Sequence, residues 1–276
     1  MKNHSVFSPG NIAVITGAAD GIGFAAAEKF LSMGLEVCIS DINAEKLQEA
    51  SSKLGDVLTV EADVSSIDDT NRLKDAAYSK FGTVNILMNN AGTSSAGSDS
   101  WTEYENWITT LSVNLLGVIN GIHSFVPTML EQANGGLVIN TGSKQGITCP
   151  PGNPAYNVSK AGVKAVTEAL QHSFRNTNDC KLSAHLLVPG FTYSGMVRQY
   201  LPEKPEGAWT PEQVIEFLIE SINHGDFYIL CPDNDTTRTI DNKRIEWAAG
   251  DLTNNRPALS RWHKDYEKEF EKYMKD

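Results

Sequence analysis

Paired cysteines are missing. The four that occur, Cys38, Cys149, Cys180 and Cys231, stand far apart and form no C-x-x-C. That excludes a disulfide framework or a zinc ribbon and reads as free thiols in a reducing compartment. The six histidines (His4, His123, His172, His185, His224, His263) fall in no metal-ligand pattern such as H-E-x-x-H, so no metal is expected. Positive charge is also scarce: Lys and Arg number 23 against 34 Asp and Glu, a net charge of −11, with a pI of about 5.0. Nucleic acid is therefore excluded as the main partner. No apolar run approaches the ~20 residues of a membrane span. The opening residues are polar and lack the apolar segment of a signal peptide. These absences lead to the expectation of a soluble, cytoplasmic protein with no membrane partner. Glycine is lacking at one telling position. A hydrolase elbow G-x-S-x-G around Ser143 needs Gly at 145, and Gln145 stands there instead.

What is present alternates. The chain has 276 residues, 41% of them hydrophobic, enough for one α/β domain with a modest extension. Short apolar runs at 11–16, 35–40, 57–60, 84–88, 137–141, 182–188 and 227–230 predict strands. Helical patterns at 24–33, 43–54, 68–80, 103–130, 154–170 and 211–224 lie between them. The spacing predicts a Rossmann-like, doubly wound parallel sheet with helices on both faces. Residues 1–231 read as a dinucleotide-binding and catalytic domain, and 232–276 as a C-terminal extension docking on the body. In that extension Tyr266, Phe270 and Tyr273 recur at helical spacing, as a docking face would.

Ligands of such sheets sit beyond the carboxyl ends of the strands, where Gly17, Asp41, Asp63, Asn90, Ser143 and Gly190 all fall. After the first strand comes Gly17-Ala18-Ala19-Asp20-Gly21-Ile22-Gly23. It reads as an ordinary turn or as a phosphate cradle, and the flanking strand and helix favour the cradle, with free N–H groups at the helix start. Asp41 closes the second strand, 18 residues past Gly23, where a carboxylate can accept from the ribose hydroxyls of NAD. It would repel the 2′-phosphate of NADP, and neither Ile42-Asn43 nor Ala18-Ala19-Asp20 offers a cation to welcome one. Asp41 could instead be an N-cap for the helix that follows. Tyr156 and Lys160 lie four apart in a helical segment, so phenol and ammonium share a face. A neighbouring ammonium favours the phenolate, and such a pair can exchange a proton with a substrate oxygen.

Taken together, Thr16-Gly17-x-x-x-Gly21-x-Gly23, Asp63, Asn89-Asn90-Ala91-Gly92, Asn114, Ser143, Tyr156-x-x-x-Lys160 and Pro189-Gly190 resemble the short-chain dehydrogenase/reductase family over roughly residues 10–231. The resemblance implies Tyr156 as the acid/base and Ser143 as the hydrogen-bond partner of the substrate oxygen. Lys160 would lower the phenol pKa and hold the nicotinamide ribose. Asn114 would anchor a water leading protons from Lys160 to solvent. It also implies an NAD site formed by Gly17, Asp20, Gly21, Ile22, Gly23, Asp41, Asp63, Val64, Asn90, Ala91, Gly92, Tyr156, Lys160, Pro189, Gly190, Thr192 and Ser194. Asp63 and Val64 would flank adenine.

The chain departs from the family pattern at two places. Ala19-Asp20 stands where Ser or Arg is frequent, and Thr192 and Ser194 follow Pro189-Gly190 where an aliphatic residue and then Thr are usual. Both could serve the nicotinamide carboxamide, Thr192 by its backbone amide and Ser194 by its hydroxyl. Residues 191–211 read either as a substrate cover or as a surface excursion. As a cover, Phe191, Tyr193, Met196 and Tyr200 would form an apolar wall, and Gln145 a polar contact beside Ser143 and Tyr156. The expected activity is NAD-dependent interconversion of a secondary alcohol and a ketone. The alternative is a catalytically silent NAD-binding sensor or scaffold, distinguished by following NADH absorbance against a panel of secondary alcohols. Apolar residues on two helices (Leu111, Leu115, Val118, Ile122; Val158, Val163, Val166, Leu170) suggest a homodimer or homotetramer built on them.

Overall fold

The strands form from runs of apolar, largely β-branched residues that a pleated surface accommodates well. They are β1 (Ile12–Thr16), β2 (Glu36–Asp41), β3 (Leu58–Glu61), β4 (Ile86–Asn89), β5 (Gly136–Thr141), β6 (Leu182–Val188) and β7 (Tyr228–Leu230). A computed structural model describes residues 4–94 and 101–275; the end of the polar stretch expected as a loop up to Ser100 lies outside the described residues. All seven strands pair in parallel in the order β3-β2-β1-β4-β5-β6-β7. The order reverses between β1 and β4, which opens a crevice above their carboxyl ends. The expected doubly wound sheet is what the chain forms.

Both faces of the sheet are covered. Side chains alternate along a strand, so Ala13 and Ile15 join Phe30 of α1 (Gly21–Ser32) and Leu218 of α9 (Pro211–His224) in one core. Val14 faces the other way, toward Leu73 of α3 (Ile67–Phe81), Phe125 and Met129 of α5 (Gly117–Glu131), and Phe174 of α7 (Pro154–Arg175). Each fully buried Leu, Ile or Phe contributes about 1.5–3 kcal/mol. Helix α2 (Ala44–Leu54) lies beside α1, adding Leu47 and Ala50 to the first core.

The helix expected over 103–130 is one rod in three parts: α4 (Tyr104–Leu111), a π-helical turn (Ser112–Leu116) and α5. In the π turn the Gly117 amide reaches back to the Ser112 carbonyl, five residues away. The span Tyr104–Glu131 is long and apolar enough to cross a membrane, but it is packed into the core through Val118, Phe125, Val126 and Met129. Its outward face differs from expectation. Val118 and Val163 point inward, and Leu115 fills the space over Gly162. The apolar residues facing out are Ile108, Leu116 and Ile119, with Val158 beside them on α7.

Helix α9 begins as its sequence demands. Thr210 and Gln213 form a capping box with Pro211 at the first turn, and Gly225 closes the helix in the left-handed region at φ 84°. The chain then adds α10 (Arg238–Thr253), which the hydrophobic pattern does not announce, and α11 (Glu267–Lys275). Only Trp247 and Asp241 of α10 are buried, so no apolar stripe marks it. Phe270 and Tyr273 pack on Trp247, at 5.2 and 5.3 Å between ring centroids. The aromatic face of α11 thus meets α10.

Two asparagines lie inside the sheet. Asn89 Nδ2 donates to Asn140 Oδ1 at 2.8 Å, and Asn140 Nδ2 donates to Thr167 Oγ1 at 3.0 Å. Asn140→Ala would leave the buried Asn89 amide without its acceptor, a cost of about 1–3 kcal/mol. Calorimetry should register a fall in Tm of roughly 2–12 °C for a chain of this size; an unchanged Tm would show that this ladder contributes nothing to stability.

Candidate active site

The rim of the crevice is tied together by side chains from three strand ends. Thr16 Oγ1 accepts from the amides of Asn90 and Ala91, both at 3.1 Å. Asn90 Nδ2 donates to the carbonyls of Thr16 and Gly17, each at 3.1 Å. Its carbonyl oxygen accepts from Thr141 Oγ1 at 3.3 Å. Asn90 therefore acts by holding the glycine loop in place. Gly17 has φ 62°, and a Cβ there would stand 2.6 Å from Ala91 Cα. Only glycine permits both that backbone and that approach.

The loop leads into α1, where Asp20 serves as N-cap, accepting from the Gly21 amide at 2.6 Å. Its carboxylate is also ion-paired with Arg198 of α8 (Gly195–Arg198). The Asp20 carboxylate is thus engaged by the cap and by Arg198 at the start of the expected cofactor loop. Ser194 Cβ lies 3.1 Å from where a Gly21 Cβ would stand, so it packs on the glycine loop. Thr192 is buried, and its hydroxyl donates to the Gly190 carbonyl at 3.2 Å.

At the end of β2, Asp41 accepts from the Ala19 amide at 3.2 Å and from the Asn43 amide at 3.1 Å. The cap of α2 is the Asn43 side chain, which accepts from the Lys46 amide. The N-cap reading of Asp41 is thereby replaced. Its carboxylate is pinned beside the glycine loop. Asp63 accepts from the Ser65 amide and hydroxyl, at 2.9 and 2.7 Å. Val64 is buried against Gly117, and its carbonyl accepts from Asn120.

Tyr156 and Lys160 project from the first turns of α7, which starts at an Asn153 cap with Pro154 next to it. Lys160 is buried, with Nζ 2.8 Å from the Thr141 carbonyl and 5.7 Å from the Tyr156 ring centroid. Burial pulls its pKa down to about 8. Burial pushes the Tyr156 phenol above its ordinary value, and a hydrogen bond with Ser143 pulls it part of the way back. The sequence-based expectation of a lowered phenol pKa is therefore not met in the chain by itself: desolvation outweighs the hydrogen bond.

Ser143 sits in the turn after β5, and its Oγ accepts from the Gln145 amide at 3.2 Å. Gln145 thus contributes through its backbone, while its side chain is exposed. The turn continues into α6 (Gln145–Thr148), which lies directly on α7. A Cβ on Gly146 would stand 2.4 Å from the Lys160 carbonyl carbon. That close approach lets α6 lie on α7 beside the Ser143 turn, and Gly146 is a position the motifs do not reveal. Its only trace in the sequence is a glycine three residues past the serine.

Asn114, fully buried in the π turn, accepts from the Thr93 amide at 2.7 Å and donates to the Thr93 carbonyl at 2.9 Å and to Ser159 Oγ at 3.1 Å. Its side chain clamps the segment after Gly92 onto α7. On the substrate side Phe191 is exposed and Met196 half-buried. Tyr193 gives its hydroxyl to the Pro202 carbonyl and so braces the excursion. Tyr200 is exposed.

These residues fit a nicotinamide dinucleotide. The glycine loop and the start of α1 offer amides to a pyrophosphate, Asp41 offers a fixed carboxylate to ribose, and the buried Lys160 ammonium stands at the opposite end of the crevice.

Comparison with known proteins agrees. The profile described as short chain dehydrogenase matches residues 11–205. A 3-oxoacyl-[acyl-carrier-protein] reductase of Thermotoga maritima is 34% identical over 199 residues, covering 71% of this chain and 79% of the relative. An NADP-dependent (R)-specific alcohol dehydrogenase of Lentilactobacillus kefiri is 32% identical, covering 72% of this chain and 78% of its own length. Among solved structures, a short chain dehydrogenase/reductase from Burkholderia phymatum in complex with NAD superposes with a TM-score of 0.81. It has 30% identity, and the match covers 90% of this chain and 96% of that one. With the glycine loop, Ser143, Tyr156 and Lys160 on one rim of a seven-stranded parallel sheet, this chain belongs to the short-chain dehydrogenase/reductase family of oxidoreductases.

Proposed function

We propose that this protein interconverts a secondary alcohol and a ketone, using NAD. The observation that carries the reading is the buried Lys160 ammonium, 5.7 Å from the Tyr156 ring centroid, on a helix packed against the turn that carries Ser143. A bound nicotinamide ring supplies a hydride acceptor for oxidation and a hydride donor for reduction. Tyr156 takes the alcohol proton in one direction and returns it in the other. Ser143 holds the substrate oxygen against the phenol, and the Lys160 ammonium stabilises the phenolate while oxidation proceeds. Phe191 and Met196 give the substrate side an apolar wall. The Burkholderia neighbour binds NAD and the Lentilactobacillus relative is NADP-dependent, so cofactor choice rests on Asp41.

Three outcomes are expected. Tyr156→Phe should lower kcat by ~10²-fold or more with NADH affinity unchanged. Oxidation needs the phenolate and should speed up as pH rises, whereas reduction needs the phenol and should slow. Because Lys160 loses its proton above about 8, Lys160→Met should move the rising limb of oxidation to higher pH. A pH profile that Lys160→Met leaves in place would remove Lys160 from this role.

For the cofactor, Asp41 facing a 2′-phosphate should cost on the order of a few kcal/mol, and ~1.4 kcal/mol is tenfold in affinity. Fluorescence titration should therefore show NADH bound ~10²-fold more tightly than NADPH. Asp41→Ala should narrow the gap, and adding Ile42→Arg at that exposed position should narrow it further. Equal affinities in the unaltered protein would defeat the NAD reading.

We also propose a homodimer or homotetramer that covers Ile108, Leu116, Ile119 and Val158, which are 38–48% exposed. Light scattering at micromolar concentration should give a multiple of the chain mass, and Leu116→Glu with Val158→Glu should reduce it. A monomer before substitution would refute the assembly.

A further inference from the structure

Lys144 follows Ser143 directly and has no part in the reaction described above. Its ammonium is turned away from the crevice, to two carboxylates of the C-terminal extension. Nζ lies 2.7 Å from Asp241 Oδ2 and 3.4 Å from Asp233 Oδ2. The side chains are 19%, 6% and 8% exposed for Lys144, Asp241 and Asp233, so water screens the cluster little. The same Asp233 Oδ2 accepts from the Phe191 amide at 3.2 Å. A Cβ on Gly190 would stand 2.8 Å from Asp233 Oδ2 and 3.0 Å from Lys144 Nζ. Burial raises the Asp233 pKa, but the Phe191 amide and the Lys144 charge outweigh it and leave the carboxyl below its ordinary value.

We propose that Lys144 is a positioning residue through which the C-terminal extension holds both walls of the reactive end of the site. One wall is the Ser143 turn after β5, and the other is the Gly190-Phe191 turn after β6. These turns have no covalent link closer than 46 residues of chain (190 − 144). The carboxylates come from beyond the last strand, one from the start of α10. The three charges link the two turns through side chains, beyond the last backbone hydrogen bond of β5 with β6. A chain that ended after β7 would keep the tyrosine and the lysine but lose the anchor of the serine. The extension is thereby part of the site without touching substrate.

The role of Ser143 in this inference rests on the proposed function, whereas the coupling of the two turns does not, and the test separates them. Lys144→Met removes the charge at similar length, and Asp241→Asn keeps the shape of the pair should the first variant fold poorly. Hydrogen exchange by mass spectrometry, in the full chain without ligand, reads the coupling. Peptides covering residues 143–147 and 190–194 should both exchange about tenfold faster in either variant, while peptides from β1 and β2 stay unchanged. Unaltered exchange at either turn would overturn the coupling, whatever the enzyme does. On a confirmed substrate, kcat should fall about 10- to 100-fold through misplacement of Ser143. The oxidation limb should move to higher pH, as it would in Ser143→Ala, because the hydrogen bond that lowers the Tyr156 pKa is weakened. Introduced into Ser143→Ala, the same Lys144→Met change should have no further effect on kcat. An additive loss there would mean that Lys144 supports the fold but does not position the serine.

Discussion

The crevice depends on one run of hydrogen bonds across three neighbouring strand ends. Thr16, Asn90 and Thr141 are linked side chain to side chain or side chain to backbone, and the Thr141 carbonyl then receives the Lys160 ammonium. β1 and β4 pair along their length, but beyond their carboxyl ends the chain leaves in different directions, and there side chains take part in the hydrogen bonds that join them. Asn90 does so from both ends of its amide. The glycine loop and Lys160 are thus positioned by one polar chain. In surroundings of low polarity such a chain is strong when satisfied and costly when broken.

Burial gives the site its electrostatic character. Lys160 is held at the bottom of the crevice with its pKa brought down to about 8, and Tyr156 is raised. Both groups are therefore biased toward their neutral forms in the chain alone. Catalysis of alcohol oxidation demands the opposite for the phenol. The Ser143 hydrogen bond already works in that direction, and the positive nicotinamide ring of an oxidised cofactor would work the same way.

Two additions to the core fold bear on this arrangement. The excursion after β6 returns α8 to the glycine loop, where Arg198 meets Asp20 and Ser194 meets Gly21. The C-terminal extension returns Asp233 and Asp241 to Lys144. Each places charge from late in the chain against a loop formed early in it. The first lies against the glycine loop and the second joins the turns after β5 and β6.

Much of this was legible in the residues. Strand and helix alternation specified the parallel sheet, because each run has the period and length of a single element type. Thr210-Pro211 and Gly225 marked the ends of α9 through capping and a left-handed backbone. Tyr156 and Lys160 four apart could only share a helix face, and Asp41 was placed at the carboxyl end of β2, where the structure pins it beside the glycine loop. Other features depend on approaches between distant segments. That Asp20 is spent on Arg198, that Ser194 lies on Gly21, and that Leu115 and Val118 turn inward cannot be read from any local pattern. Nor can the packing of Gly146 on Lys160, or the reach of Asp241 to Lys144. The direction of the Tyr156 shift belongs with these. Sequence puts an ammonium near a phenol, but only the folded chain decides how much water each loses, and for this pair desolvation is the larger effect.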